Sequence, residues 1–334
     1  FDIGVVRSIH FNPCTDGMPS ANHTDLELVT TKLRDARKMM TDSPVFQLVE
    51  GFPEIKRLKT DVFRDRVQYS AGLRQKLTQA RREGIDAVRA VEQELGAVHD
   101  VEAGVVIDLF LSYRAVKGWE DMIALVQKMP SPLAATVLVQ EQLGLALNRA
   151  GRGIDAERVL LDLLANRGPS SETYGILGRV YKDRWEAALK LSEKSLARGL
   201  LGQAVEAYLK GFEADWRDAY PGVNAVTLME IKDPPDPRRA RLIPIVSYAV
   251  ERRIASGKPD YWDHATLLEL AVLANEQQKA EVALADALAA VREAWEPETT
   301  ARNLRLIREA RERRKELIPW TSDVEQGLLR RAGQ

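Results

Sequence analysis

One cysteine, Cys14, is all the chain holds, so no disulfide can form within it and nothing marks an oxidising compartment. Neither sign of charge is in excess. The 48 basic and 49 acidic residues leave a net charge of -1, which excludes strong steering of the whole chain toward nucleic acid or an anionic membrane. No apolar run reaches the roughly 18 residues of a membrane span, and no signal peptide opens the chain. Cytoplasm is therefore the default location. Aromatics are scarce at 6%, while Ala, Leu, Arg and Glu abound, a composition that suits helices better than sheets.

Chemistry-bearing motifs are also missing. The sequence has no phosphate-binding glycine loop of P-loop or dinucleotide type and no His-Glu-x-x-His zinc motif. His10, His23, His99 and His264 stand far apart without metal-ligand spacing, so no metal site is expected. Cys14 has only His10 nearby and reads as a small residue more readily than as a reactive thiol. Carboxylates are spread as on any solvated helical face, and no acid–base pair stands out. These absences point away from an enzyme and from any cofactor.

What is present is a soluble-protein composition, 45% hydrophobic and 29% charged, in 334 residues: enough for one large helical array or two domains. The opening is atypical. The chain begins at Phe1, and Ile3-Gly4-Val5-Val6-Arg7-Ser8-Ile9 is β-prone, followed by turn residues at Asn12-Pro13 and Asp16-Gly17. From Thr24, a candidate helix cap, the pattern turns helical, with Leu26, Val29 and Leu33 as an apolar stripe. Residues 1–42 are thus expected to be a strand-plus-helix remnant of a truncated α/β domain. A long helix is expected from about Asp61 to Glu83, burying Phe63, Val67, Leu73 and Leu77.

A fixed register follows. Leu109, Leu143 and Leu177 stand 34 residues apart, as do Tyr113, Leu147 and Tyr181, and Gly144 and Gly178 repeat at the same distance. That period is the length of a tetratricopeptide unit, a helix pair that buries its apolar face only by stacking on neighbours. Helices are expected over about 85–96, 101–116, 119–129, 133–150, 154–166 and 171–190, joined at Gly118, Pro130, Gly151 and Gly168-Pro169. Within the second unit, Leu143, Gly144 and Leu147 on helix A should face Ala156, Leu160 and Leu163 on helix B. The third unit departs from the pattern. Its helix B residues, Ala204, Tyr208 and Gly211, arrive roughly 14 positions late against the 34-residue period, so either helix A is extended or a helix is inserted over Trp185–Arg198. Beyond the breaker Asp233-Pro234-Pro235-Asp236-Pro237, helices are expected near 238–255, 261–276, 278–295 and 297–317, with Pro244 kinking the first or marking its start.

The fold class is accordingly all-α, a tetratricopeptide-like helical solenoid, over residues 43–295, with a basic helix and tail over 296–334. In that tail Arg302, Arg305, Arg308, Arg311, Arg313, Arg314 and Lys315 alternate with Glu309, Glu312 and Glu316. The interleaving favours intrahelical ion pairs on a wet face over a nucleic-acid patch. A solenoid presents a groove, whose expected positions are Ile107, Leu111 and Arg114 in the first unit, Glu141, Leu145 and Asn148 in the second, and Gly175, Arg179 and Lys182 in the third. These side chains either meet a partner or pack against the next helix pair. Leu111 and Leu145 stand where a clamp for a peptide's terminal carboxylate would want Asn, which disfavours that ligand. Reversing the charge of Arg179 and Lys182 is expected to weaken a partner without much loss of stability.

Several strings occur in order: Ser43-Pro44-Val45-Phe46-Gln47-Leu48-Val49-Glu50-Gly51, Leu109-Phe110-Leu111-Ser112-Tyr113-Arg114, Ala146-Leu147-Asn148-Arg149, Gly178-Arg179-Val180-Tyr181-Lys182-Asp183 and Gly222-Val223-Asn224-Ala225-Val226-Thr227-Leu228. Together they resemble the TRAFs-binding, tetratricopeptide-like central regulatory region of the apoptosis signal-regulating kinases, and more closely its bacterial relatives, over residues 43–295. The resemblance implies a non-enzymatic module that binds a protein partner and positions neighbouring domains, here in a bacterial signalling or defence protein. Two alternatives stay open: the regulatory C-terminal half of a nucleotide- or nucleoside-processing enzyme with an upstream α/β domain, and a scaffold that forms a homo-oligomer.

Overall fold

A computed structural model of the chain describes residues 60–257 and 259–333, with side chains from Tyr69 onward, and Glu27, Thr30 and Thr31, which are helical and exposed. The strand run near Ile3, Cys14, the cap at Thr24, the string from Ser43 to Gly51 and the side chains of Phe63 and Val67 lie outside the described residues. The chain divides into two compact units, Phe1–Tyr69 and Ser70–Gln334. The second holds the repeats.

Its helices follow in antiparallel pairs. After α1 (Thr60–Glu83) and α2 (Ile85–Leu95) come α3 (Ala103–Ala115) with α4 (Trp119–Lys128), then α5 (Val137–Arg149) with α6 (Gly153–Arg167). The pairs α7 (Ser171–Lys190) with α8 (Lys194–Ala214) and α9 (Ala219–Ile231) with α10 (Arg239–Ser256) lead to α11 (Tyr261–Ala274) with α12 (Gln277–Ala289), and α13 (Trp295–Arg313) with α14 (Trp320–Ala332). No strand occurs among the described residues. The fold is an all-α helical-repeat solenoid. No helix among the described residues is long and apolar enough to cross a membrane.

The 34-residue register translates directly into packing. Leu143, Leu147, Ala156, Leu160 and Leu163 are buried, as are Leu177, Tyr181, Ala204 and Tyr208. A Cβ on Gly144 would lie 2.8 Å from Leu160 of the facing helix, and one on Gly178 would lie 2.7 Å from the Tyr208 ring. Both glycines therefore serve one and the same close approach between helix A and helix B in successive units. The turns repeat as well. Lys117, Gly151, Ser192, Asn275 and Lys315 each take a left-handed backbone, φ 59° to 78°, between the two helices of a pair.

The late helix B of the third unit is explained by length. α7 runs 20 residues and α8 runs 21, against 13 and 15 in α5 and α6, and a tight turn at Leu191–Glu193 joins them. No separate helix is inserted: Trp185 belongs to α7 and Arg198 to α8. Pro244 does not mark the start of α10, which begins at Arg239 and carries the proline inside it. Helix α14 and helix α9 were not anticipated. α9 escapes a periodicity reading because it is apolar all round: every residue from Pro221 to Ile231 is buried. It touches α7, α8, α10, α11 and α13. Its side chains join two core clusters, Ala225, Leu228 and Met229 in one, Val223 and Val226 in the other.

The expected solvated basic face holds for Arg302, Arg305, Arg313 and Lys315, which are exposed, and is corrected for Arg311, which is buried, and Arg314, which is half-buried. Arg311 and Arg314 reach the buried carboxylate of Glu230 on α9 at 2.9 and 2.6 Å, and Arg239 joins them at 2.6 Å. Arg305 and Arg308 both pair with Glu325 of α14. Arg308–Glu312 is the intrahelical pair that the spacing suggested. Arg311 also donates to the last carbonyls of α11, Val272 O and Leu273 O. The inward side of α13 thus commits Arg311 and Arg314 to buried partners, because that side packs against α9 and α11.

Candidate functional site

Helices α7, α9, α11 and α13 enclose one chamber of about 590 Å3, edged by Arg149 of α5 and by Val250 and Arg253 of α10. The helix starts that shape it are fixed locally. Ser170 caps α7 by accepting from Thr173 N, and Asp218 caps α9 by accepting from Tyr220 N. Ser171 Oγ donates to Asp218 Oδ2 at 2.6 Å, tying these two starts together. Asp260 and Asp263 form a capping box at the head of α11, and Asp263 also takes Arg253 Nε at 2.8 Å.

α7 lays a strip of charge along the chamber. Arg179, Lys182, Asp183 and Glu186 stand at i, i+3, i+4 and i+7, one helical face. Lys182 is 6% exposed, and its Nζ donates only to Asn303 Oδ1 of α13, at 3.4 Å. Burial lowers its pKa. Glu269 of α11, also buried, bonds the same Asn303, accepting from its Nδ2 and from Thr227 Oγ1, and burial raises its pKa. The guanidinium of Arg179 makes no hydrogen bond; its nearest carboxylate oxygen, Asp183 Oδ1, is 3.7 Å from Nε. Asp183 accepts from Asn148 Nδ2 at 2.7 Å and lies 4.0 Å from Arg149. Glu186 pairs through Oε2 with Arg302, while its Oε1 is buried without a partner.

At the mouth stand three aromatic rings. Tyr220, Trp262 and Trp295 are 49%, 37% and 55% exposed, and the two indoles pack with centroids 5.6 Å apart. Donors, carboxylates and an aromatic rim in one polar chamber are the equipment of a binding site. Among the described residues, no group of three or more His, Cys, Asp or Glu is placed to hold a metal ion.

The groove residues read from the sequence are distributed unevenly about this chamber. Arg179 and Lys182 line it, and Asn148 reaches its edge through Asp183. Gly175 lies under the Tyr220 ring. Ile107 and Leu145 are half-buried against the core, and Leu111 is half-buried on α3. Arg114, exposed, donates to Gln142 Oε1 at 2.9 Å. Glu141 is buried and accepts from Thr173 Oγ1 at 2.6 Å, which makes it a brace for the start of α7. Asn224, Glu269, Trp262, Trp295 and Asn303 were not singled out, because they follow the register break. A signal was available: Tyr261 and Trp295, which begin α11 and α13, again stand 34 residues apart.

The chain has relatives among known proteins. The model of the MAP3K TRAFs-binding domain matches residues 14–326. The mitogen-activated protein kinase kinase kinase nsy-1 of Caenorhabditis elegans is 27% identical over 219 residues, 60% of this chain and 14% of that protein. Human mitogen-activated protein kinase kinase kinase 6 is 27% identical over 198 residues, 56% of this chain and 15% of that protein. The chain therefore spans a small part of the length of these kinases. Among solved structures, a thermophilic tetratricopeptide protein of Thermus thermophilus aligns with TM-score 0.45 at 14% identity, covering 61% of this chain and 99% of that one. A tetratricopeptide protein of Parabacteroides merdae aligns with TM-score 0.43 at 11% identity, covering 81% and 99%.

Proposed function

The chain belongs to the MAP3K TRAFs-binding domain family, and from that premise we propose that it is a non-enzymatic interaction and regulatory module whose protein partner docks at the chamber of α7, α9, α11 and α13. One observation carries this reading. The first helices of four successive pairs, α7, α9, α11 and α13, line a cavity that has Tyr220, Trp262 and Trp295 exposed at its mouth. Exposed indoles are the side chains most often found at the energetic centre of protein interfaces. The setting we infer is a bacterial signalling or defence protein, supported by an Ala-, Arg- and Leu-rich composition of the kind high-GC genomes encode.

The test is affinity purification of the full-length gene product from its native organism, with the parent compared to a Trp262→Ala, Trp295→Ala double variant. Both rings are at the surface, so the variant should remain folded by circular dichroism. We expect proteins that co-purify with the parent to be lost with the variant. A partner set unchanged by the double substitution removes the chamber as the docking site.

A further inference from the structure

Among the described residues, three buried side-chain polar atoms lack a hydrogen-bond partner: Arg179 Nε, Glu186 Oε1 and Tyr208 Oη. They gather at one place. Arg179 and Glu186 line the chamber, and the Tyr208 ring meets the edge of Tyr220, another lining residue, with centroids 6.1 Å apart. Buried polar atoms without partners are rare in folded proteins, since each one forfeits its water without compensation. Their concentration at a polar cavity says that the protein alone leaves this site incomplete.

The unmet demand has two signs. At one end of the α7 strip, the Arg179 guanidinium approaches Asp183 no closer than 3.7 Å, and the Lys182 ammonium has a 3.4 Å bond to a neutral amide and the field of Glu269 without a direct ion pair to it. Arg149 adds a third cation, no closer than 4.0 Å to its carboxylate. An anionic group would complete them. One to two turns further along, Asp183 and Glu186 bring carboxylates. Arg302 occupies one oxygen of Glu186 and leaves the other without a donor. A cationic or N–H-bearing group would complete that one. Arg253 and Asp263 satisfy each other and do not enter the balance. At the same chamber, Tyr220, Trp262 and Trp295 offer flat apolar surface. A volume of about 590 Å3 is far above that of one water and falls in the range of small-molecule sites.

We propose that the chamber binds a small zwitterionic ligand of the α-amino-acid class, its carboxylate on Arg179 and Lys182, its ammonium on Glu186, and its side chain against the aromatic mouth. Binding would draw Arg179 and Glu186 out of their unpartnered positions by small side-chain rotations. An anion there would also favour the charged form of Lys182, which burial disfavours. A module of this kind would report the level of a metabolite to whatever its helices engage. The inference rests on the reading of this chamber as a binding site but not on any protein partner, so the purification above and the titration below fail independently.

The experiment screens the standard α-amino acids singly, at millimolar concentration, against the 334-residue chain by thermal shift. Any stabilising compound is then titrated by calorimetry. A ligand that binds only the folded state raises the melting temperature with concentration. We expect at least one amino acid to bind saturably at one site. Its N-acetyl and carboxamide forms, which lack the ammonium and the carboxylate, should each bind at least about tenfold more weakly, the loss of one charge-assisted hydrogen bond. Glu186→Gln and Arg179→Met should show the same loss with the free amino acid. If no amino acid stabilises the chain, or if the blocked forms bind as well as the free one, the assignment is overturned. The blocked forms are tested on the unaltered protein, so the result stands even if a variant misfolds.

Discussion

Glu230 shows how much a single side chain can carry in this fold. It is 1% exposed and holds Arg239, Arg311 and Arg314 around one carboxylate, joining α9 to α10 and to the end of α13. Burial opposes its charge, and the hydrogen bonds and fields of Arg311 and Arg239 outweigh that opposition, so its pKa lies below the ordinary value. A carboxylate depressed in the folded state contributes stability that is present above its unfolded pKa, about 4.3 for Glu, and is lost as pH falls through the folded value. Glu230→Gln should cost on the order of 3 kcal/mol at neutral pH, because it leaves buried guanidinium groups without their counter-charge. In urea titrations run from pH 7 downward, the parent should lose stability below about pH 4.3 more steeply than the variant. Parallel curves would show that Glu230 is not the titrating group. Lys182 teaches the complementary lesson. Read from the sequence as a groove cation that tolerates charge reversal, it is buried beside Glu269, and a second carboxylate there would strain the fold itself.

At the scale of the element, the helix pair is the unit that the sequence spelled out. The spacing of Leu109, Leu143 and Leu177 and the paired glycines predicted which faces meet, and Gly144–Leu160 and Gly178–Tyr208 are those meetings. The two contacts differ in tolerance. A methyl at Gly144 meets Cγ and Cδ2 of Leu160 at 2.8 Å, whereas at Gly178 it meets three atoms of the rigid Tyr208 ring at 2.7–2.8 Å. Both side chains are fully buried, and the planar ring of Tyr208 is larger and has less room to repack than Leu160. Gly178→Leu should therefore destabilise more than Gly144→Leu, within the 1–3 kcal/mol usual for overpacking and toward its upper end. Chemical denaturation of the two variants decides the order; equal midpoints would mean that Tyr208 can repack. The unanticipated elements failed for identifiable reasons. α9 lacks an amphipathic stripe because both of its sides are interior, and the lengthening of α7 and α8 is invisible to a fixed period.

For the whole molecule, the decisive fact is that α9 belongs to both core clusters. Repeat arrays usually behave as chains of nearest neighbours that can lose structure piecewise. Here α9 touches α13 as well as α7, α8, α10 and α11, so the later pairs close around a shared helix. We expect denaturant transitions of Ser70–Gln334 followed by far-ultraviolet circular dichroism and by tryptophan fluorescence to coincide, since Trp185, Trp262, Trp295 and Trp320 span the joined region. Separated transitions would show that the two clusters unfold independently. The sequence by itself determined the repeat length, the facing residues within a pair, the all-helical class and the family, because these depend on periodicity and local order along the chain. Only the tertiary structure decided where the chamber lies. Its walls come from helices separated by the extra length of α7 and α8 and by the proline-rich joint, so Lys182 and Asn303 meet across 121 positions. Burial, which strips water from these charges and sets their partners, is a property of that closure and of no single segment.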